Sequence, residues 1–180
     1  MNKHIITIEQ LKKCGRPIGK MVDSTKLEAF ITEVEQLYIK PAMGESLFLR
    51  IQEEIAKENI EDSKLKILLD GGIYKEKDFG KSNDNIHSIM GLRITISYYV
   101  YAQYVMCSDI ESTRYGLSIK NDEYSNHISD KSRSSLYNSS IEIAKGYLKE
   151  CISFCKISGL SKEEGKSKIN IGGCTIRKIG

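Results

Sequence analysis

The side chains best suited to hold a metal are two cysteines one helical turn apart, Cys151 and Cys155. Zinc sites use four ligands, mostly cysteine thiolates and histidine nitrogens, so at least two more would be needed. The three histidines, His4, His87 and His127, occur in no paired ligand spacing. The pattern therefore favours core packing of the two cysteines, and we expect no metal.

The other reactive residue types also lack partners at a useful spacing. Glu53-Glu54 and Glu163-Glu164 are adjacent in sequence, so on a helix their carboxylates point in different directions and cannot share a proton. The glycine pairs Gly71-Gly72 and Gly172-Gly173 lack the lysine and the spacing of a phosphate-binding loop. No GxSxG nucleophile motif occurs in the sequence. We therefore expect a non-enzymatic protein without a cofactor.

Composition indicates a single folded domain of 180 residues, with 40% hydrophobic and 28% charged residues. No apolar run approaches the length of a membrane-spanning helix, so we expect no membrane partner and synthesis in the cytoplasm. The net charge of +3 is too small for a dedicated nucleic-acid binder. The basic end is the C-terminal one, because residues 156–180 carry six basic and two acidic side chains.

Capping residues and apolar spacing predict helices in the first half of the chain. Thr7 and Gln10 form a capping box for a short helix that ends near Gly15. Asp23 or Ser24 caps the next helix, and its apolar residues follow the spacing of one buried stripe. That stripe consists of Leu27, Phe30, Ile31, Val34, Leu37 and Tyr38. Pro41 is expected to break or kink the helix.

Further helices are predicted over Gly44 to Lys57 and over Ser63 to Asp70, and a polar connection follows from Tyr74 to Asn85. The segment Ile86 to Met106 is ambiguous, because Leu92 to Tyr98 alternates apolar and polar residues like a strand. Its length exceeds that of an ordinary strand, so we interpret it as a central buried helix.

Asp109 to Asp130 is predicted to be an ordered loop with one short strand at Tyr115 to Lys120. The last long helix begins at Ser134 or Ser135 and ends before Gly159. The expected fold is therefore mainly α. Residues 1–159 form a single bundle of about four to six helices with a short extended segment, and residues 160–180 form a basic linker and a β-hairpin arm.

The arm is predicted from two alternating runs joined by two glycines, Lys168 to Arg177. Pairing across this turn places four apolar side chains on one face: Ile169, Ile171, Cys174 and Ile176. An isolated hairpin is marginally stable in water, so we expect the arm, including Arg177, to bind another molecule during assembly.

Aromatic residues form a second candidate surface, because Tyr98, Tyr101 and Tyr104 cluster within one predicted helix and Tyr115 lies in the predicted strand. Tyrosines can stack on nucleic-acid bases. In this arrangement they more often fill a core or a subunit interface, and we favour core or interface for all four.

Four segments in a fixed order carry a resemblance to a known family. They are Tyr38-Ile39-Lys40-Pro41-Ala42-Met43-Gly44, then Leu68-Leu69-Asp70-Gly71-Gly72, then Gly91-Leu92 leading to Tyr98-Tyr99-Val100-Tyr101-Ala102, then Thr113-Arg114-Tyr115-Gly116-Leu117-Ser118-Ile119-Lys120. By this order and spacing, over roughly residues 5 to 150, the chain resembles the head-tail connector proteins of tailed bacteriophages of Bacteroidetes, including the crAss-like phages.

The resemblance implies a structural virion protein at the phage neck, where subunits form a homo-oligomeric ring, commonly twelvefold to match the portal. Such a ring seals the DNA channel, touches packaged DNA without sequence-specific binding, and offers a platform for other neck or tail proteins. The alternative is a helical DNA-binding or regulatory module, with Arg16-Pro17-Ile18-Gly19 as the turn of a helix-turn-helix. Against it, the second helix is expected to present Glu28, Glu33 and Glu35 outward, where they would repel phosphate.

Overall fold

The computed structural model describes residues 4–19, 22–57, 60–76, 85–107, 110–114, 116–119 and 128–161. Its helices are α1 (Ile8–Lys13), α2 (Ser24–Val34), α3 (Lys40–Met43), α4 (Glu45–Ala56), α5 (Ser63–Asp70), α6 (Leu92–Cys107) and α7 (Asp130–Ser158). Its strands form two antiparallel hairpins, β1 (Gly72–Glu76) with β2 (Asn85–Ile89), and β3 (Ile110–Thr113) with β4 (Gly116–Ile119). The prediction of a mainly helical fold is confirmed.

Helix α6 is the centre of the bundle and packs against α7, α2, α5 and α1. Its buried residues include Leu92, Ile96, Tyr99 and Val100, which lie on more than one side of the helix. A helix buried on most sides has no continuous polar face, which explains why its pattern resembled a strand. The helical interpretation of residues 92–98 is confirmed. Its predicted start at Ile86 was wrong, because residues 85–89 form β2.

Side-chain caps fix where several helices begin. The predicted capping box at Thr7 and Gln10 is present, and Asp23 accepts a hydrogen bond from the amide of Thr25 at the start of α2. Helix α7 begins at Asp130, earlier than predicted, because Ser129 accepts a hydrogen bond from the amide of Ser132. Its first turns are mostly exposed, so no apolar stripe marks them.

Of the break or kink predicted at Pro41, the break does not occur. A π-helical turn, Glu35–Ile39, joins α2 to α3, and the backbone keeps right-handed helical angles through Val34, Ile39 and Lys40. The helix ends at Gly44 instead. A π-turn contains one extra residue, which rotates the side chains that follow it relative to a continuous α-helix.

The polar connection predicted from Tyr74 to Asn85 was also wrong in part, because its two ends belong to β1 and β2. The predicted strand near residues 115–120 is present as β4 and pairs with β3. Tyr115 and the predicted arm, Lys168 to Arg177, lie outside the described residues. Leu160 is buried and its amide bonds to the carbonyl of Cys155, so the helical core includes it.

Among the described residues, no helix is long and apolar enough to cross a membrane.

Candidate interaction surface

The β1–β2 hairpin presents two large apolar side chains to solvent. Ile73 is 70% exposed and Ile86 is 67% exposed. The register pairs Ile73 with Ser88 and Lys75 with Ile86, so these four residues share one face of the hairpin. All four are exposed. We call them the hairpin outer face.

The opposite face of the hairpin packs on the bundle. The Tyr74 ring meets Phe154 of α7 edge-on with centroids 4.8 Å apart, and it stacks on His87 of β2 at 5.3 Å. Ile89 is buried in the main core. Because one face is held by aromatic and apolar contacts, the other is presented in a fixed orientation.

Two glycines hold the base of the hairpin against the helices. Gly71 ends α5 and Gly91 precedes α6, and both have positive φ angles, 85° and 87°. A Cβ atom on Gly91 would lie 2.4 Å from the backbone nitrogen of Gly71, so the two backbones touch. Only glycine allows both this conformation and this approach. The position of the hairpin is therefore fixed by backbone contact.

A second exposed apolar surface lies on α2, the π-turn and α3. Leu37 is 61% exposed, although the sequence pattern placed it in the buried stripe, and that prediction was wrong. The extra residue of the π-turn turns Leu37 outward. Ala29, Glu33 and Pro41, at intervals of four residues from it, are exposed as well. We call these four residues the Leu37 stripe.

The first residue of the π-turn is a buried carboxylate. Glu35 is only 2% exposed, so its predicted outward position was wrong, whereas Glu28 and Glu33 are exposed as predicted. One carboxylate oxygen of Glu35 accepts a hydrogen bond from the amide of Ile5 at 2.6 Å, and the other lies 3.0 Å from Nδ1 of His4. Glu35 therefore fastens the N-terminal segment to the bundle.

Burial raises the pKa of the Glu35 carboxyl above its ordinary value, because desolvation outweighs the hydrogen bonds from His4 and Ile5 that favour the charged form.

The N-terminal segment is also held by α6, since the Arg93 side chain donates to the carbonyl of Ile5 at 3.1 Å and pairs with Asp70.

This chain belongs to a family of unknown function (DUF6712), which matches residues 39–156. The match includes the hairpin outer face but begins after Glu35 and Leu37. No curated protein and no solved structure matches the chain. Membership of this family assigns no activity to the chain.

Three of the predicted tyrosines lie half-buried on α6, and each makes a ring contact within the chain. Tyr98 meets Tyr147 of α7 edge-on with centroids 5.7 Å apart. Tyr101 lies 6.5 Å from Tyr104 and carries the Arg16 guanidinium over its ring at 5.6 Å. These contacts join α6 to α7 and to the α1–α2 loop.

The two cysteines one turn apart are buried in the core, as the sequence favoured, and Cys155 Sγ lies 3.9 Å from Met43 Sδ. Burial raises the pKa of the Cys151 thiol to about 11 and that of the Cys155 thiol to about 12. Within the part of the chain that the structure describes, no group of three or more His, Cys, Asp or Glu residues could hold a metal.

The sequence did not predict the hairpin outer face. Ile73 lay next to a segment interpreted as a connection, and Ile86 was assigned to the central helix. The alternation of Ile73 and Lys75 with Tyr74 and Glu76 is too short to distinguish a strand. The hairpin could have been predicted from two short segments that contain isoleucine and are each bounded by glycine. The predicted arm residues Ile169, Ile171, Cys174, Ile176 and Arg177 lie outside the described residues and stay a prediction.

Proposed function

We propose that this chain is a non-enzymatic structural protein that assembles as a ring at the neck of a tailed bacteriophage, between the portal and the tail. The observation that carries the proposal is a pair of exposed apolar surfaces, the hairpin outer face and the Leu37 stripe, on one small helical bundle. Neighbouring exposed apolar side chains on a fixed element, such as Ile73 and Ile86, favour protein–protein contact more than a single exposed residue does. The resemblance to head-tail connector proteins supports the same role.

A ring subunit uses two different surfaces, because each copy contacts one neighbour with one face and the other neighbour with another. The chain offers two such surfaces on different elements: the hairpin packs on α5 and α7, whereas α2 packs on α1 and α6. The basic arm predicted over residues 160–180 adds a third contact, to a neighbouring subunit or to the portal.

The test is the mass of the purified full chain in solution, alone and mixed with the portal protein of the same phage, by sedimentation velocity and negative-stain microscopy. We expect a closed ring or recruitment to the portal. A chain that stays monomeric under both conditions overturns the proposal. Tight, salt-sensitive binding to duplex DNA by the isolated chain would instead support the regulatory alternative.

The arm has its own test. A chain ending at Ser161 keeps Leu160 and the amide bonds from Leu160 and Ser161 to the carbonyl of Cys155, which close α7. We expect it to fold like the full chain and to lose ring formation or portal binding. Normal assembly of this truncated chain would exclude an assembly role for the arm and leave the ring proposal standing.

A further inference from the structure

A groove lies where the end of α7 packs beside the start of α4. The Sγ atom of Cys155 in α7 lies 3.9 Å from the Sδ atom of Met43 in α3, so the two helices are in contact there. Next to this contact is an open space of about 390 Å³ with an apolar wall formed by Met43, Leu47 and Leu160. We call it the α4 groove, and its lining includes Met43, Gly44, Ser46, Leu47, Arg50 and Leu160.

The chain leaves the last described helix at this groove. Gly159 has a positive φ angle of 72°, and the amides of Leu160 and Ser161 both bond to the carbonyl of Cys155. These bonds fix the path of the chain after α7. Ser161 itself lines the groove. The segment that follows Ser161 therefore begins at the edge of the groove.

We propose that the predicted arm of the free chain docks in the α4 groove of its own bundle through its apolar face. That face consists of Ile169, Ile171, Cys174 and Ile176, which lie outside the described part of the chain. The proposal goes beyond the ring, because it concerns the chain before any partner binds. The arm then reaches a partner only after it leaves the groove.

The length of the linker favours the groove of the same chain. Six residues, 162–167, separate Ser161 from Lys168, and six extended residues span at most about 20 Å. A segment tethered this closely has an effective concentration on the order of millimolar at a site within its reach. A second copy in dilute solution competes poorly with a site at that effective concentration.

The chemistry of the groove suits an apolar, extended segment. Of the described residues that line it, only Arg50 is charged, and its guanidinium pairs with Asp62 at 2.8 Å. No side chain caps α4 within the described part of the chain, so the first amides of this helix need other acceptors. The backbone carbonyls along the edge of an extended arm are such acceptors. The apolar face of the arm, which an isolated hairpin leaves in water, meets the apolar wall of the groove.

The first experiment cross-links the arm to the groove in the full-length chain. Ser46 is exposed and lines the groove, and the arm carries a native thiol at Cys174. Ser46→Cys is made in a background with Cys14→Ser and Cys107→Ser, which removes two partly exposed thiols. The control is Ser135→Cys in the same background, because Ser135 is an exposed serine near the opposite end of α7.

Both variants are treated with a short bismaleimide cross-linker over a series of chain concentrations and analysed by denaturing gel and peptide mapping. We expect Ser46→Cys to be joined to Cys174 of the same chain at least tenfold more than Ser135→Cys is, with a yield that does not change on dilution. A cross-link between two chains, or a yield that falls on dilution, assigns the groove to the arm of another copy and overturns the proposal. A yield no higher than that of the control also overturns it.

The rate at which iodoacetamide labels Cys174 is an independent measurement. Ser46→Trp places a large side chain in the groove, and Ser135→Trp is its control. We expect Cys174 to react at least tenfold faster in Ser46→Trp than in the wild type or in Ser135→Trp, with the circular dichroism spectrum unchanged. Equal rates in the three chains overturn the proposal. Neither measurement requires a ring, so a failure of docking leaves the ring proposal standing, and a failure of ring assembly leaves docking standing.

Discussion

Substituting Gly91 by alanine should be strongly destabilising, because this residue joins the hairpin to the central helix. Its φ angle is 87°, and an added Cβ atom would lie 2.4 Å from the nitrogen of Gly71, 2.7 Å from the oxygen of Leu69 and 2.8 Å from the carbonyl carbon of Asp70. All three are backbone atoms. None can rotate away as a flexible side chain would, so the junction itself must shift.

Alanine substitutions at two other glycines separate the cost of the backbone conformation from the cost of steric overlap. Gly44 has a φ angle of 82° and a ψ angle of 149°, with nothing within 4 Å of an added Cβ, so alanine there should cost only the strain of this backbone conformation, about 1–3 kcal/mol. Gly91→Ala adds overpacking of about 1–3 kcal/mol to the strain of its own positive φ angle, for a total of roughly 2–6 kcal/mol. Gly146 lies exposed within α7 with open space around it, and alanine there should stabilise by about 1 kcal/mol.

Urea unfolding followed by far-ultraviolet circular dichroism measures the free energy of unfolding of the wild type and the three variants. The expected order of stability is Gly146→Ala, wild type, Gly44→Ala and Gly91→Ala. The reasoning is refuted if Gly91→Ala is as stable as Gly44→Ala, because backbone contact at the junction would then contribute nothing. The same result would remove the argument that the hairpin is held in a fixed orientation.

Two further predictions concern buried titratable groups. Because the folded-state pKa of Glu35 is raised, its contribution to stability is greatest below its ordinary pKa and is lost as pH rises through the folded-state value. The stability of Glu35→Gln relative to wild type should therefore increase from about pH 4.5 upward, and a difference independent of pH would contradict this. Cys151 and Cys155, with thiol pKa values of about 11 and about 12, should resist iodoacetamide at pH 8 until urea unfolds the chain, as read by peptide mapping. Labelling of either thiol at the rate of an exposed cysteine would show that the core opens without unfolding.

The starts of α1 and α2 and the end of α5 were predictable from local chemistry, whereas the starts of α6 and α7 were not. Thr7 and Asp23 offer side-chain oxygens to free amides, and Gly71 ends its helix in a conformation that other residues avoid. The bounds predicted for α4 and α5 also lie within about one residue of the observed ones. Such signals lie within a few residues of the feature that they specify.

The hairpin was less predictable because its outer face lacks the expected pattern. A hairpin on a core usually alternates apolar residues inward and polar residues outward. Here Ile73 and Ile86 face solvent, Tyr74 is half-buried against Phe154, and His87 is exposed beside Tyr74. Burial along the two strands therefore does not follow hydrophobicity, and pattern reasoning assigned the strand residues to a loop and a helix.

The exposed position of Leu37 follows from the presence of Pro41. In a continuous α-helix the proline ring would clash with the carbonyl of Leu37, and its missing amide would leave that carbonyl unbonded. The π-turn avoids this, because its wider pattern bonds the amide of Lys40 to the carbonyl of Glu35, one residue further back than in an α-helix. The inserted residue then rotates Leu37 outward, whereas Glu35 comes before it and keeps its bond to the carbonyl of Ile31, as in α2. Glu35 is buried and needs donors there, and the amide of Ile5 supplies one. The π-turn thus carries the helix past a proline that pattern reasoning treats as a break, and it exposes Leu37.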